Sequence, residues 1–284
     1  MTEANAAQAH HWNVEAGPSW VANQEQLDRM LEPLGAAALA TAQPAEGERV
    51  VDIGCGCGAT TIALAQRVGP RGRVLGVDIS EPMLARAQER CAALGLANVE
   101  LLRADAQRAV IPHGNDLAFS RFGIMFFEDP GAAIENIARG LRKGGRLAFV
   151  CWQERGRNPW MGIPVDAALQ HVPAPPPFAP GAPGPWAFAD PDRVRGILDG
   201  AGFADIAIES LEHDLLVGGA STLDGAAAFS LESGSVRSVL GDVDDDTRRR
   251  VGDSIRRAFE PYAGPDGVRI GSAAWVVSAS RVGA

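Results

Sequence analysis

From Arg49 to about Trp152, short apolar runs alternate with amphipathic stretches of helical length, the pattern of βα units wound about a mostly parallel sheet. RVVDIG, GRVLGVDIS, VELLRADA, NDLAFSRFGI and GRLAFVCWQ are expected as the first five strands. ATTIALAQRV follows a glycine turn and is expected as a helix; so is EPMLARAQERCAALGL, with Ser80 as N-cap and Pro82 in its first turn. PGAAIENIARGLRKGG reads as a third helix, ending on glycine, and DPDRVRGILDGAGF as a fourth. ADIAIESLEHDLLV and VRIGSAAWVVSASR are long strand patterns with no simple βα repeat between them, which predicts an antiparallel hairpin at one sheet edge.

Three segments stand outside this repeat. Residues 1–45 read as helices that precede the sheet. Residues 154–189 contain VPAPPPFAPGAPGPW, too stiff for a helix or a central strand, and residues 218–264 read as helical around the charged turn GDVDDDTRRR. The expected organisation is one α/β domain: a core over 46–153, a sheet completed by 190–217 and 265–284, and the three segments as caps. They would cover the C-terminal edge of the strands, where open α/β sheets bind ligands.

Composition narrows the function. The 284 residues are 46% hydrophobic and 21% charged, an ordinary globular balance. A formal net charge of -9 leaves no broad basic surface for phosphates, so no nucleic-acid partner is expected. Lys143 is the sole lysine among 26 basic residues, which reads as the mark of a GC-rich bacterial genome. The N-terminal stretch lacks a basic leader and an apolar core, and no run of about eighteen apolar residues occurs, so a cytoplasmic protein without membrane contact is expected. The four cysteines, Cys55, Cys57, Cys91 and Cys151, make no disulfide framework and are expected as free thiols.

The densest chemistry lies in VVDIGCGCGATT, Val50 to Thr61. Cys55 and Cys57 have no second pair or Cys/His cluster to complete a zinc site and lack the C-x-x-C spacing of a redox pair, so no metal is expected. The glycines present backbone N–H groups at a helix N-terminus, but GCGCGA fits a dinucleotide fingerprint as well as G-x-G-x-G. Three acids separate the two. Asp52 before the glycines suits a ligand ammonium better than a pyrophosphate. Asp78 ends the second strand, where a carboxylate accepts ribose hydroxyls, and Asp105 with Ala106 follows the third, where an acid can hold an adenine amine.

VVDIGCGCG, GVDIS, RADA and LRKGGRLAFV together resemble the successive motifs of class I S-adenosylmethionine (AdoMet)-dependent methyltransferases, within the group that is similar to ubiquinone/menaquinone C-methyltransferases. The resemblance covers about residues 45–152. It implies a Rossmann-like, doubly wound sheet of seven strands with one antiparallel, and AdoMet across the C-terminal ends of the first strands. By position, Asp52, Gly54 and Gly56 would line the methionine portion, with Gly58 in the turn. Asp78 would bind the ribose, Ile79 and Met83 flank the adenine, Asp105 and Ala106 hold its edge, and Ser120 end the fourth strand near the sulfonium with Arg121 beside it. SRFG stands where DNA and protein N-methyltransferases of the family carry N/D-P-P-Y/F, which argues against that chemistry.

The acceptor is expected to be a small, flat or conjugated metabolite, methylated at O, C or N by in-line displacement with S-adenosylhomocysteine as product. Trp12, Trp20, Phe122, Trp152 and Trp160 are the candidate pocket walls. His11, His171 and Arg121 are the candidate catalytic residues, since a base is needed only where the acceptor must lose a proton. A quinone-ring C-methyltransferase, or an AdoMet-binding protein without transfer, are the alternatives. A homodimer is expected only on general grounds.

Overall fold

The alternating core pattern produces parallel strands joined by helices, and the chain before and after it supplies the caps. The computed structural model describes residues 5–175, 179 and 181–282; part of the proline-rich run, Pro176, Pro177, Phe178 and Pro180, lies outside the described residues. The leading helices are α1 (Ala6–His10), a π-helical turn over His11–Glu15, α2 (Gly17–Ala22) and α3 (Gln24–Ala42). The core follows as β1 (Arg49–Ile53), α4 (Ala59–Val68), β2 (Arg73–Asp78), α5 (Glu81–Ala93), β3 (Val99–Arg103), β4 (Asn115–Arg121), α6 (Pro130–Gly140) and β5 (Leu141–Trp152). Then come α7 (Pro159–Ala168), α8 (Pro191–Gly200), β6 (Phe203–Leu216), α9 (Leu223–Glu232), α10 (Gly234–Leu240), α11 (Asp245–Phe259), β7 (Ala263–Gly264) and β8 (Gly267–Arg281).

The main path of the sheet runs β3-β2-β1-β4-β5-β8-β6, with the two-residue β7 paired to the start of β8. β1 pairs in parallel with both β2 and β4, and β4 with β5. β8 is the antiparallel strand, held between β5 and β6. The expected edge hairpin is therefore present, with β8 inserted one place inside the edge. Central strands explain the apolar runs: Val50, Val51 and Ile53 of β1, Leu117, Ala118 and Phe119 of β4, and Leu147 to Cys151 of β5 are all buried.

Local chemistry sets the helix starts. Ser80 Oγ accepts from the Met83 N–H at the start of α5, Asp129 from Ala132 N–H at α6, and Asp244 from Thr247 N–H at α11. One expectation is corrected: the third core helix stops at Gly140 rather than running on through LRKGG. A Cβ at Gly140 would meet Ile111 Cγ2 at 2.5 Å, and Asn115 Nδ2 donates to the Gly140 carbonyl at 3.0 Å. The chain turns extended at Leu141, which pairs with Asn115 and opens β5.

α3 lies across β4, β5, β8 and β6, while α7, α9, α10 and α11 pack mainly on one another. Strand order reverses between β1 and β4, the place where an open α/β sheet leaves a crevice at its C-terminal edge.

Candidate active site

Each central strand delivers its last residues to one cavity of about 1340 Å³. β1 leads to Gly54, Gly56 and Cys57, β2 to Asp78 and Ile79, β3 to Ala104, Asp105 and Ala106, β4 to Arg121 and Phe122, and β5 to Trp152. The other walls come from residues of α1 to α3, of α7, of the 183–186 loop and of α9 and α10.

The glycine turn takes a conformation that side chains resist. Gly54, Gly56 and Gly58 have φ of 67°, 54° and 83°, and a Cβ at Gly54 would stand 2.8 Å from Gly123 Cα. Asp78 is tied to this turn. Its Oδ2 accepts the Gly56 N–H at 2.7 Å and its Oδ1 the Ser80 N–H at 2.8 Å, which leaves further lone pairs for a ligand hydroxyl. Burial in the cavity floor pushes its carboxyl pKa up, against the pull of those backbone N–H groups. Asp105 is braced in the same manner, Oδ1 by the Gln107 N–H at 2.9 Å and Oδ2 by Asn5 Nδ2 at 2.7 Å. Met83 and Ile79 line the cavity between the two acids in sequence.

Asp52, Gly58 and Ser120, expected against the cofactor, are not cavity walls. Asp52 is fully buried behind the turn, where Thr60 and Thr61 hydroxyls donate to its Oδ2 at 2.7 and 2.6 Å and its Oδ1 has no partner. Desolvation raises its pKa to about 6, with the two threonine bonds opposing. Gly58 N-caps α4 and packs on Ala87, 3.0 Å from where a Cβ would sit. Ser120 Oγ donates to the Ile53 carbonyl at 2.8 Å and so ties β4 to β1.

The acid facing the cavity beside the turn is Asp28 of α3, which amphipathic patterning does not single out. Its Oδ2 holds Gln24 at 2.6 Å and Arg90 at 2.8 Å, and Arg90 Nη1 also donates to the Cys57 carbonyl at 2.6 Å. Its Oδ1 lies 3.5 Å from Arg121 Nη2. Arg121 runs along α3 at Gly35 and keeps 14% of its side chain exposed, toward the cavity it lines. Cys55 and Cys57 line the cavity as protonated thiols; burial pushes Cys57 up to about 12 and Cys55 well above its ordinary value.

The five aromatic candidates all reach the cavity, in two groups. Phe122 stacks on Trp152 at 4.0 Å and 12°, and Trp160 tilts against Trp152 at 5.2 Å. Across from them in sequence, Trp12 meets Trp20 at 5.9 Å and Phe126 at 5.0 Å, edge to face. Phe122 has φ of 59°, a costly conformation for a bulky residue, held by its N–H on the Val150 carbonyl and by the Trp152 stack.

The histidines separate. His11 lines the cavity, but on the π-helical turn, with Nδ1 2.7 Å from Glu15 Oε2; its neighbours Trp12 and Asn13 are bonded to Ser80 and Ile79. It thus sits above the β2–α5 loop with its ring 5.3 Å from that of Trp12, which in turn meets Phe126 after β4. His171, the other candidate, is not among the cavity-lining residues: its Nε2 pairs with Ser254 Oγ of α11 at 2.8 Å and joins α11 to the end of α7.

Residues 50–145 match the family model described as methyltransferase domain. Aklanonic acid methyltransferase DauC of Streptomyces sp. (strain C5) is 35% identical over 149 residues, which cover 50% of this chain and 67% of that protein. Nocamycin O-methyltransferase of Saccharothrix syringae is 32% identical over 192 residues, 64% of this chain and 68% of the relative. Among solved structures, the YcgJ protein of Bacillus subtilis superposes with a TM-score of 0.56 at 16% identity, over 88% of this chain and 98% of that one, a likeness of fold.

Proposed function

The chain belongs to the class I AdoMet-dependent methyltransferases, enzymes here related to ones acting on small molecules, and on that premise we propose that it methylates an acidic oxygen on a large, flat, mostly apolar acceptor. The observation that carries this reading is that one cavity of about 1340 Å³, larger than the range of one ligand pocket, is lined both by the acids and glycines of the strand ends and by five aromatic side chains of the candidate wall.

The floor residues fit the cofactor. Gly54 and Gly56 would lie along its amino-acid portion, with Asp28 and Arg121 as cavity-lining charges for its ammonium and its carboxylate. Asp78 would accept the ribose hydroxyls, while Asp105 and Ala106 would meet the adenine edge and Ile79 and Met83 its faces. The role expected of Asp52 passes to Asp28; Asp52 instead fixes the turn through Thr60 and Thr61. Bound AdoMet supplies an electrophilic methyl group on a positive sulfur.

The chain's own contribution is alignment and exclusion of water. Two aromatic groups and the helices α7, α9 and α10 enclose a flat ring system, and that fixes the angle of attack. His10 and His11, the histidines that line the cavity among the described residues, both pair with Glu15, and an acceptor oxygen that arrives already ionised needs neither of them as a base. The names of the two curated relatives, one acting on an acid and one an O-methyltransferase, point the same way.

The test is a mass-spectrometric screen of the purified enzyme with AdoMet against polycyclic phenols and carboxylic acids, with amines and quinones as comparison sets. A gain of one methyl group on phenolic or carboxylic oxygen is expected. Methylation confined to amines or to ring carbon would overturn the acceptor chemistry.

A further inference from the structure

Asn5 stands at the N-cap position of α1, where an asparagine ordinarily accepts a bond from its own helix. It makes no such bond. Its side chain instead crosses to the far end of the sheet: Nδ2 donates to Asp105 Oδ2 at 2.7 Å and to Gln107 Oε1 at 3.2 Å, and Oδ1 accepts from the Glu128 N–H at 3.3 Å. Gln107 Oε1 also accepts the Asp129 N–H at 3.1 Å, so one buried residue joins the loop after β3 to the loop after β4.

A second asparagine does the same one subsite away. Asn13 Nδ2 donates to the Ile79 carbonyl at 3.1 Å and Oδ1 accepts the Glu81 N–H at 2.9 Å, an N–H with no partner inside α5. It thereby clamps both ends of the β2–α5 loop that Asp78 begins. Ser80 Oγ of that loop donates to the Trp12 carbonyl at 2.7 Å. Gly17 lets the cap come this close, because a Cβ there would stand 2.0 Å from the Trp12 oxygen and 2.9 Å from Ser80 Oγ.

We propose that Asn5 and Asn13 are positioning residues through which the N-terminal cap sets cofactor affinity: Asn5 through the adenine acid Asp105, Asn13 through the loop that carries the ribose acid Asp78. The inference rests on the cofactor placement proposed above. A carboxylate offers about four acceptor sites, so Asp105 can keep its Gln107 and Asn5 bonds and still receive an adenine amine. The Asn5 bond fixes which of its lone pairs face the cavity. Because the same cap carries Trp12 and Trp20, a cap latched over the adenosine half also builds one wall of the acceptor half. Cofactor binding would then precede acceptor binding.

The two asparagines should be distinguishable by ligand. Calorimetry with S-adenosylhomocysteine and with S-inosylhomocysteine, which lacks the adenine amine, is run on the full chain. Wild type is compared with Asn5→Ala, Asn13→Ala and Asn5→Asp. Asn5→Ala should weaken the adenosyl ligand about tenfold and the inosyl ligand by less than about twofold, as expected for one charge-assisted bond acting through the amine. Asn13→Ala should weaken both ligands equally, by about fivefold.

Asn5→Asp places a carboxyl against Asp105 where no cation among the described residues is bonded to Asn5, so its affinity should fall at pH 8 and recover toward pH 5 as the pair takes up a proton. Thermal unfolding of each variant identifies any general loss of fold, and the pH profile of Asn5→Asp reports on the contact independently of it. Wild-type affinity or tighter binding in Asn5→Ala, equal losses for its two ligands, or a wild-type pH profile in Asn5→Asp would each overturn the proposal. Failure of the wild type to bind S-adenosylhomocysteine would overturn the cofactor reading itself.

Discussion

The strand edge and the cap contribute to the same cavity in different ways. At the edge, Gly54, Asp78, Asp105 and Arg121 stand where β1 to β4 end; turn N–H groups hold Asp78 and one oxygen of Asp105, while Asn5 and Asp28 of the leading segment reach the other oxygen of Asp105 and Arg121. In the cap, Trp12, Trp20 and Trp160 are placed by helix packing and by bonds such as Asn13 to Ile79 that cross many residues of chain. A ligand common to all such enzymes can be read by the first arrangement. An acceptor that differs from one enzyme to the next belongs to the second, whose helices can change without disturbing the sheet.

If that division holds, the largest effect should come from the edge. Asp78→Ala removes the carboxylate that also holds the Gly56 and Ser80 N–H groups, and S-adenosylhomocysteine affinity should fall by about a hundredfold or more in calorimetry. Binding at wild-type strength would place the cofactor elsewhere. Next comes the cap: Trp160→Ala should raise the acceptor KM by about tenfold while cofactor affinity stays within about twofold. Equal losses for both ligands would erase the distinction between the regions.

Asp52 tests the turn from behind, through pH. Its carboxyl titrates higher in the folded protein, near 6, than in the unfolded chain, so the folded state binds the extra proton. Stability from this group is therefore full below about pH 4 and is lost as the pH rises through 6. Relative to Asp52→Asn, wild type should lose on the order of 3 kcal/mol across that window, read as diverging melting temperatures. Parallel curves would mean that Asp52 is not desolvated as described. The smallest effect is expected at His171→Ala, about 1 kcal/mol of stability from the lost Ser254 bond, with kcat/KM unchanged in steady-state assays. A large kcat loss would return His171 to the catalytic machinery.

The same division governed what the sequence disclosed. Parallel strands buried on both faces leave contiguous apolar runs, and ligands meet such sheets at strand ends, so Asp78 and Asp105 could be located from position alone. The cap's patterning shows which helix face packs but not which polar side chain reaches another element. Asp28, Asn5 and Asn13 therefore carried no local signal, beyond an asparagine at a helix start whose cap bond proved to be absent. Asp52 and Ser120 sat at strand ends as expected, yet β-strand alternation and the glycine turn direct them behind the wall. The end of α6 was hidden because it depends on long-range partners: Asn115 Nδ2 takes the Gly140 carbonyl and Leu141 pairs with Asn115 to open β5.

The cofactor is placed on the strand edge, braced by the leading helices, and the acceptor among the aromatic walls of the same cavity. A crystal structure of the enzyme with S-adenosylhomocysteine tests this placement most directly. The ribose is expected on Asp78, the adenine edge at Asp105 and Ala106, and open space between the Trp12–Trp20 and Trp152–Trp160 walls. Adenosine lodged among those tryptophans, beneath α7 and α10, would contradict it.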